Sequence, residues 1–551
     1  MIKIVPYLAK LGVSDIYASP IFRARRGSTH GYDLVDPNRI SSEIGSRENF
    51  NAFGEILRQY NLGWVQDFVP NHMAYDIENS ILMDILEKGP NSSYFEFFDI
   101  FWDHPSEMLK EKVLAPFLGE PYKESLEKGE ISLQYGEQGF FIKYYDLALP
   151  IKIESYADII AHRLEVLEEQ LGKKNPDFLK ILDILQTLKP PSQEENVADK
   201  PNIPLESSKR LIEKLLNENP VIRSFVQENI AIFNEKINWL DRLLAKQWFR
   251  LTFWKYASQE INYRRFFHIN QLISIRMERE NVFHQFHKLI LDLLRDGKIT
   301  GLRIDHIDGL YDPTKYLTQL RERAVDTFIV VEKIQDMDEK LPEQWPIQGT
   351  TGYDFLNCAN GIFCNMENKE IFHKIYTEFI ETPSSYKNLL YEKKKLMIER
   401  HMMGDLDNLI NLLGKATIKT RDGTDLALTD LKKALFEFLA VFPVYRTYIH
   451  NPTISEQDRH YIQEAIRKTQ SKRPDLTRAL VFLENLLLLN FPETITEEDK
   501  LVWLSVVMKI QQMTGPLMAK GLEDTLFYLF NRLISLNDVG GNPDRFGIST
   551  H

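Results

Sequence analysis

Short apolar runs that end in an acidic or polar residue alternate along this chain with stretches whose apolar side chains recur every three to four positions. Ile299 to Ile304 is such a run and stops at Asp305; Phe328 to Val331 stops at Glu332. Between them, Pro313 to Asp326 has helix length and carries Tyr316, Leu317 and Leu320 at helical spacing. The same alternation occurs upstream. Asp15 to Ser19 predicts a strand, and Ser46 to Tyr60 a helix with Phe50, Phe53, Leu57 and Tyr60 on one face. Trp64 then opens a second strand that runs through Asp67 to Asn71 and His72. Strands alternating with helices predict a parallel sheet joined by crossovers. The acids fall at the carboxyl ends of the strands, where α/β barrels hold their chemistry.

Two long stretches interrupt that alternation. The first, from His72 to about Phe249, opens with aromatic, helix-like material at Tyr94 to Phe98 and continues with a β-hairpin pattern near Ile131 to Tyr145. Lys189 to Pro201, rich in proline and poor in apolar residues, reads as a linker, and Leu211 to Asn217 as an amphipathic helix. The second, about Asn360 to Glu497, is helical by its 3.6-residue periodicity at Leu389 to Leu413 and Leu476 to Leu489. Lys393 to Lys395 and Arg467 to Arg473 read as solvated basic helix faces and turns. The expected layout is barrel over 1–72, insertion over 73–250, catalytic barrel strands over 251–359, helical insertion over 360–497, and barrel or helical material over 498–551. No internal repeat of fixed period is visible.

Asp305 and Glu332, facing one cavity, form the pair that retaining glycosidic chemistry needs: a nucleophile, and an acid that later serves as base. Arg303, two residues before Asp305, shares its strand face and can hold it ionised by charge and hydrogen bonds. The same residues also admit a purely structural reading, a buried Arg–Asp pair with an unrelated strand-end glutamate.

Asp67-Phe-Val-Pro-Asn-His72, Gly301-Leu-Arg-Ile-Asp305 and Glu332 resemble, in order, the first three conserved regions of the alpha-amylase superfamily of retaining (β/α)8-barrel enzymes; His30-Gly-Tyr32-Asp33 fits the same pattern. Further strings resemble the maltooligosyl trehalose synthase family within it. These are Val5 to Gly12 with Tyr17-Ala-Ser-Pro20, Gly27 to Asp33, Asn262-Tyr-Arg-Arg-Phe-Phe267, and Gly349-Thr-Thr-Gly-Tyr-Asp-Phe355. Phe442 to Tyr448, Met518 to Asp524 and Ser535 to Gly541 complete the set. The resemblance implies an α/β fold, a (β/α)8 barrel with two large, mostly helical insertions. It implies Asp305 as nucleophile, Glu332 as general acid and base, and Tyr32 as a stacking platform beneath the reacting sugar. His72 and Arg303 would grip the sugar and the nucleophile, with Asp67, His306, Tyr353 and Arg265 as further cavity residues. Amylases typically carry Lys-His three and four residues after the nucleophile; here those positions are Asp308 and Gly309. Asp308 is therefore expected to bond acceptor hydroxyls, or else to serve as a turn residue before Gly309.

The family pattern also has a barrel strand upstream of Val5 and a third catalytic aspartate after the Asn-Asp-Val-Gly-Gly stretch. Neither falls within these 551 residues, so the barrel is expected to be incomplete, and Ser549-Thr-His551 reads as a chance echo of the family's later string.

Composition narrows the class further. Hydrophobic content of 43% and charged content of 26% are globular values, and 551 residues suffice for a large core and more than one domain. A net charge of −12 with acids and bases interleaved argues against nucleic acid as partner. The two cysteines, Cys358 and Cys364, are too few for a disulfide framework and have no histidine cluster for zinc, so free thiols and no metal or cofactor are expected. No signal peptide opens the sequence and its longest apolar run, near Leu486 to Leu489, is far short of a membrane span. The expected protein is cytoplasmic, acts on a maltooligosaccharide or α-1,4-glucan, and works alongside a trehalose-releasing hydrolase. The favoured activity is trehalose-forming intramolecular transglycosylation. A glucan hydrolase, a 4-α-glucanotransferase and an inactive glucan-binding fragment are the alternatives.

Overall fold

Local signals set the strand–helix–strand units. In the computed structural model, which describes residues 1–188, 205–380, 385–418, 420–493 and 495–549, the Ser46 side chain caps helix α1 (Arg47–Gln59) by accepting from Asn49 N–H at 3.2 Å. Asp312 caps α3 (Pro313–Arg323) through Lys315 N–H at 2.9 Å, with proline at the first helical position. Helix α2 (Glu280–Arg295) lies between them in sequence. The expected linker at Lys189 to Pro201 lies outside the described residues, as does the end of the Ser549 to His551 string.

Five parallel strands form the central sheet in the order β1 (Asp15–Ala18), β2 (Gly63–Phe68), β3 (Gly301–Ile304), β4 (Phe328–Val331) and β5 (Gly349–Thr350). The register pairs Arg303 with Asp67 and with Val330. Because side chains alternate across a strand, Leu302 and Ile304 share one face with Phe68, Ile329 and Val331, all buried. Helix α2 packs on that face, with the Phe286 ring 5.5 Å and the His287 ring 4.9 Å from Phe68. Fully burying one such side chain contributes about 1.5–3 kcal/mol. The opposite face carries Asp67, Arg303 and, past the strand ends, Asp305 and Glu332. Amphipathic patterning thus chooses which face faces the helices, and the polar residues are left on the other.

The chain divides into two units, Met1–Ala74 with Arg264–His551, and Tyr75–Tyr263. The insertion is longer than the expected 73–250. Its strand Phe249–Phe253 is hydrogen-bonded in parallel to Val113–Leu118, so the unit continues to Tyr263. The hairpin appears as expected, Ile131–Gly136 against Gly139–Tyr144, with Leu147–Pro150 added as a third strand. Tyr94 to Phe98 forms turns instead of a helix, with Phe97 and Phe98 buried.

Helices α4 (Tyr353–Ile362), α5 (Tyr386–His401), α6 (Met403–Thr417), α7 (Leu428–Val441), α8 (Glu456–Lys472), α9 (Thr477–Leu487) and α10 (Glu497–Met518) make up most of the rest of the first unit. The apolar run Leu389 to Leu413 is split at Met402 into α5 and α6. Leu406 and Leu413 of α6, Leu435 of α7, Leu483 of α9, and Trp503 and Val507 of α10 bury one another in a single core. The expected boundary at 497 therefore falls inside that core, because α10 is part of it.

Candidate active site

Parallel pairing brings three carboxyls around one guanidinium. Arg303 Nη1 lies 2.9 Å from Asp67 Oδ1 and 2.6 Å from Asp305 Oδ1, and its Nη2 lies 3.0 Å from Glu332 Oε1. Backbone bonds set the depth of both strand-end acids: Asp305 N–H donates to Phe68 O at 2.9 Å and Glu332 N–H to Ile304 O at 2.8 Å. The second Glu332 oxygen accepts from His306 N–H at 2.8 Å. Glu332 is thus no bystander to a buried Arg–Asp pair, since the same arginine holds both acids.

Burial, and after it the charge of Glu332, pushes the Asp305 carboxyl well above the usual carboxylate range, while Arg303 pulls it back. Burial also works against the Arg303 charge, but Glu332, Asp305 and Asp67 outweigh it and raise the guanidinium above its ordinary value. Asp305 and Glu332 thus share one counter-charge, Arg303, which binds a carboxyl oxygen of each.

Aromatic hydroxyls and imidazoles complete the wall. Tyr17 OH donates to Asp67 Oδ2 at 2.6 Å, and Tyr32 OH donates to the same oxygen. Burial, then Asp67, pushes the Tyr17 hydroxyl up to about 12 and raises Tyr32 as well, so both remain donors. Tyr32 reaches the site from a loop whose Gly31 has φ +84° and no room for a side chain, a Cβ there falling 2.6 Å from Pro20 O. His72 is buried and stacks on Phe266 at 4.3 Å; its Nδ1 lies 3.3 Å from Asn71 Nδ2, and the ring also faces the Tyr32 backbone. His306, at φ +47°, presents its ring edge-on to Phe266 and Phe267. Burial lowers both imidazoles to about 3, leaving them neutral. Neutral imidazoles in a buried wall suit a neutral hydroxyl ligand better than a charged one.

Known proteins resemble this chain along its whole length. The alpha-amylase catalytic-domain family model matches residues 1–153. A glycosyltrehalose synthase structure, DSM5389, superposes with a TM-score of 0.69 at 30% identity, covering 100% of this chain and 57% of that one. The maltooligosyltrehalose synthase of Arthrobacter ramosus gives a TM-score of 0.72 at 27% identity, covering 99% of this chain and 57% of that one. Over its whole length the chain is similar, at 26–30% identity, to proteins named maltooligosyl or glycosyl trehalose synthase, and its first 153 residues match the alpha-amylase catalytic domain. A Mycobacterium tuberculosis protein named for the same enzyme is 26% identical over 552 residues, 99% of this chain and 56% of the relative. The chain therefore spans a little over half the length of the relatives it matches.

Two expected substrate contacts have other partners in the structure. Arg265 is buried with its guanidinium on Asp405 Oδ2 at 2.6 Å, Asn270 Oδ1 at 2.9 Å and His401 O at 3.0 Å, so it ties the barrel to the start of α6. Asp308 is also buried, one oxygen accepting from Tyr448 OH and the other lying 3.2 Å from Lys333 Nζ. Both of its carboxylate oxygens therefore have partners within the protein. Tyr353, half-buried at the start of α4, lies within electrostatic reach of Glu332: burial and then that carboxyl push its hydroxyl up to about 12.

Sequence reasoning missed Tyr17, whose role depends on the β1–β2 register, and Lys333, whose partners lie beyond the strand. It also missed Glu523, which burial pushes up to about 7 and which accepts from Tyr445 OH at 2.6 Å and Gly540 N–H at 3.1 Å. Glu523 lines a cavity of about 520 Å³ together with Ile334, Tyr386 and Lys394. Nothing in the sequence separated it from its neighbour Asp524. Cys358 and Cys364 are free thiols, and among the described residues no His, Cys, Asp and Glu cluster has the makings of a metal site. No helix among the described residues is long and apolar enough to cross a membrane.

Proposed function

We propose that the protein acts in intramolecular glycosyl transfer, converting the reducing-end α-1,4 linkage of a maltooligosaccharide into an α,α-1,1 (trehalose) linkage. The observation that carries this reading is the Asp305–Arg303–Glu332 cluster, set in a chain that aligns from end to end with trehalose-forming synthases. Asp305 attacks the anomeric carbon of the second-to-last glucose, and Glu332 protonates the departing glycosidic oxygen. The free glucose turns in place. Its anomeric hydroxyl attacks the glycosyl–Asp305 ester, giving its proton to the Glu332 carboxylate and releasing Asp305. Water in the acceptor position would hydrolyse the ester instead, so the outcome depends on keeping the pocket closed around the glucose.

A neutral glucan suits neutral His72 and His306 and the hydroxyl donors Tyr17 and Tyr32. The product, a trehalose-capped glucan, is the substrate a trehalose-releasing hydrolase would consume. The two free cysteines fit a reducing, cytoplasmic setting. Incubation with a maltooligosaccharide is the test: reducing ends should disappear while chain length, read by mass spectrometry, stays constant. Release of reducing sugar as the main product would overturn the reading in favour of a hydrolase.

A further inference from the structure

Past the strand ends, β3 and β4 are joined through side chains. His306 N–H donates to Glu332, and Lys333, the next residue, reaches Asp308 in the segment after the nucleophile. Lys333 Nζ also lies 2.9 Å from Glu339 Oε1 and donates to Ile334 O at 2.9 Å. Asp308 is held in turn by Tyr448 OH, and its backbone carbonyl accepts from Arg446 Nη1 at 2.7 Å. Arg446, itself buried, also donates to Leu310 O and Tyr311 O. Lys333, Asp308 and Glu339 are all buried.

We propose that the buried Lys333–Asp308 pair is a positioning device that fixes the separation between Asp305 and Glu332. Lys333 stands one residue after the acid–base and Asp308 three residues after the nucleophile, so the pair ties the two segments together just behind the reacting oxygens. Stability alone does not explain it, since a buried ion pair is often no better for stability than apolar residues of the same volume. What charge adds is an obligatory contact: buried away from water, Lys333, Asp308 and Glu339 rely on one another to offset their charges, so the segments that carry them stay together. A shift of about 1 Å in either catalytic carboxyl is enough to cost about a hundred-fold in rate.

The inference rests on the proposed glycosyl transfer, and its test separates the two. Lys333→Met leaves Asp308 and Glu339 buried without a counter-charge and risks misfolding. The neutral triple Asp308→Asn/Lys333→Met/Glu339→Gln removes the pair without stranding a charge, and Lys333→Arg keeps it. Rearrangement kinetics should give a kcat about 10- to 100-fold lower for the triple with KM little changed, and substantial recovery in Lys333→Arg. The pH profile supplies the readout that a purely structural role would not move. Asp305 lies in the field of Glu332, Arg303 and Asp67, and Tyr353, Tyr445 and Glu523 face Glu332. If Asp305 and Glu332 drift apart their mutual repulsion weakens, and the two apparent pKa values of the profile move closer together.

Infrared difference spectra against Asp305→Asn and Glu332→Gln follow the same protonation without turnover, so they decide the positioning role even if the wild-type protein acts on no glucan. That last result would overturn the proposed function alone. The positioning role is overturned if the triple keeps the wild-type kcat and carboxyl titration. It is equally overturned if activity falls only with the folded fraction while the titration stays put.

Discussion

Asp305 is held where its charged form is disfavoured, and this gives its substitution two opposite effects. Its folded-state pKa is raised, so the native state binds more protons than the unfolded chain above the ordinary carboxylate value. Stability is therefore lost as pH rises from about 3.9 through the raised value. Asp305→Asn should melt at a higher temperature than wild type near pH 7, with the difference vanishing below about pH 4 in calorimetry. The same variant should lose about a million-fold in kcat, the scale reached when a covalent nucleophile is removed. A lower melting temperature at pH 7 would contradict the burial argument. Glu332→Gln should lose about 10²–10⁴-fold in kcat with little change in glucan affinity, because it removes proton transfer and leaves the sugar contacts. The meeting of Asp305 and Glu332 at Arg303 was legible from sequence because both acids end apolar strands, whereas Tyr32 and His72 were singled out by family resemblance. The place of Arg265 was not legible, because the adjacent Arg264 makes the contact nearer the site: Arg264 Nη1 donates to Asn71 Oδ1 at 2.9 Å and to Gly309 O at 3.0 Å, while Arg265 turns to Asp405. Neighbouring positions on an irregular strand point in opposite directions, and the string Arg264-Arg265 does not reveal which points inward.

Among the elements, the turn between β3 and α3 is the most tightly determined. A Cβ on Gly309 would fall 2.3 Å from His306 Cδ2 and 2.5 Å from Asn71 Oδ1, and the Gly309 carbonyl already accepts from Gln512 Nε2 at 2.9 Å and from Arg264. Gly309→Ala must move His306, whose backbone N–H holds Glu332. It should destabilise by about 1–3 kcal/mol, the ordinary cost of overpacking, and should lower kcat at temperatures where the protein is fully folded. Denaturant melts together with kcat measured well below the transition check both halves, and unchanged kcat in a destabilised variant would separate the turn from the site. The strands and helices here were readable because period 2 and period 3.6 seldom coincide over six residues or more. The turn between them was not, since its conformation depends on partners from Asn71 to Gln512, far away in sequence. The end of the insertion was placed too early for a related reason: the pairing of Phe249–Phe253 with Val113–Leu118, far apart in sequence, leaves no mark in composition.

At the scale of the molecule, the surface around residues 353–380 is unlike the rest. Phe355, Ile362, Phe363, Ile371, Ile375 and Phe379 are exposed there, and at the other end of the sheet Ile4, Tyr7 and Leu11 are exposed as well. Monomeric proteins rarely expose a contiguous apolar patch of more than a few hundred Å² without a partner for it. β1 and β5 are the outer strands of the sheet, and an edge strand offers unpaired backbone groups to other chains. The 551-residue polypeptide on its own is therefore expected to self-associate at micromolar concentration. Light scattering behind size exclusion should give masses that rise with concentration. Replacing Phe363 and Phe379 with Ser, two exposed rings on the 353–380 surface, should shift that distribution toward the monomer while leaving the melting temperature within about 1–2 °C, because exposed side chains contribute little to the folded state. A concentration-independent monomer in the unsubstituted chain would mean that this surface is covered within the chain itself, and the exposed aromatic row would then need another explanation.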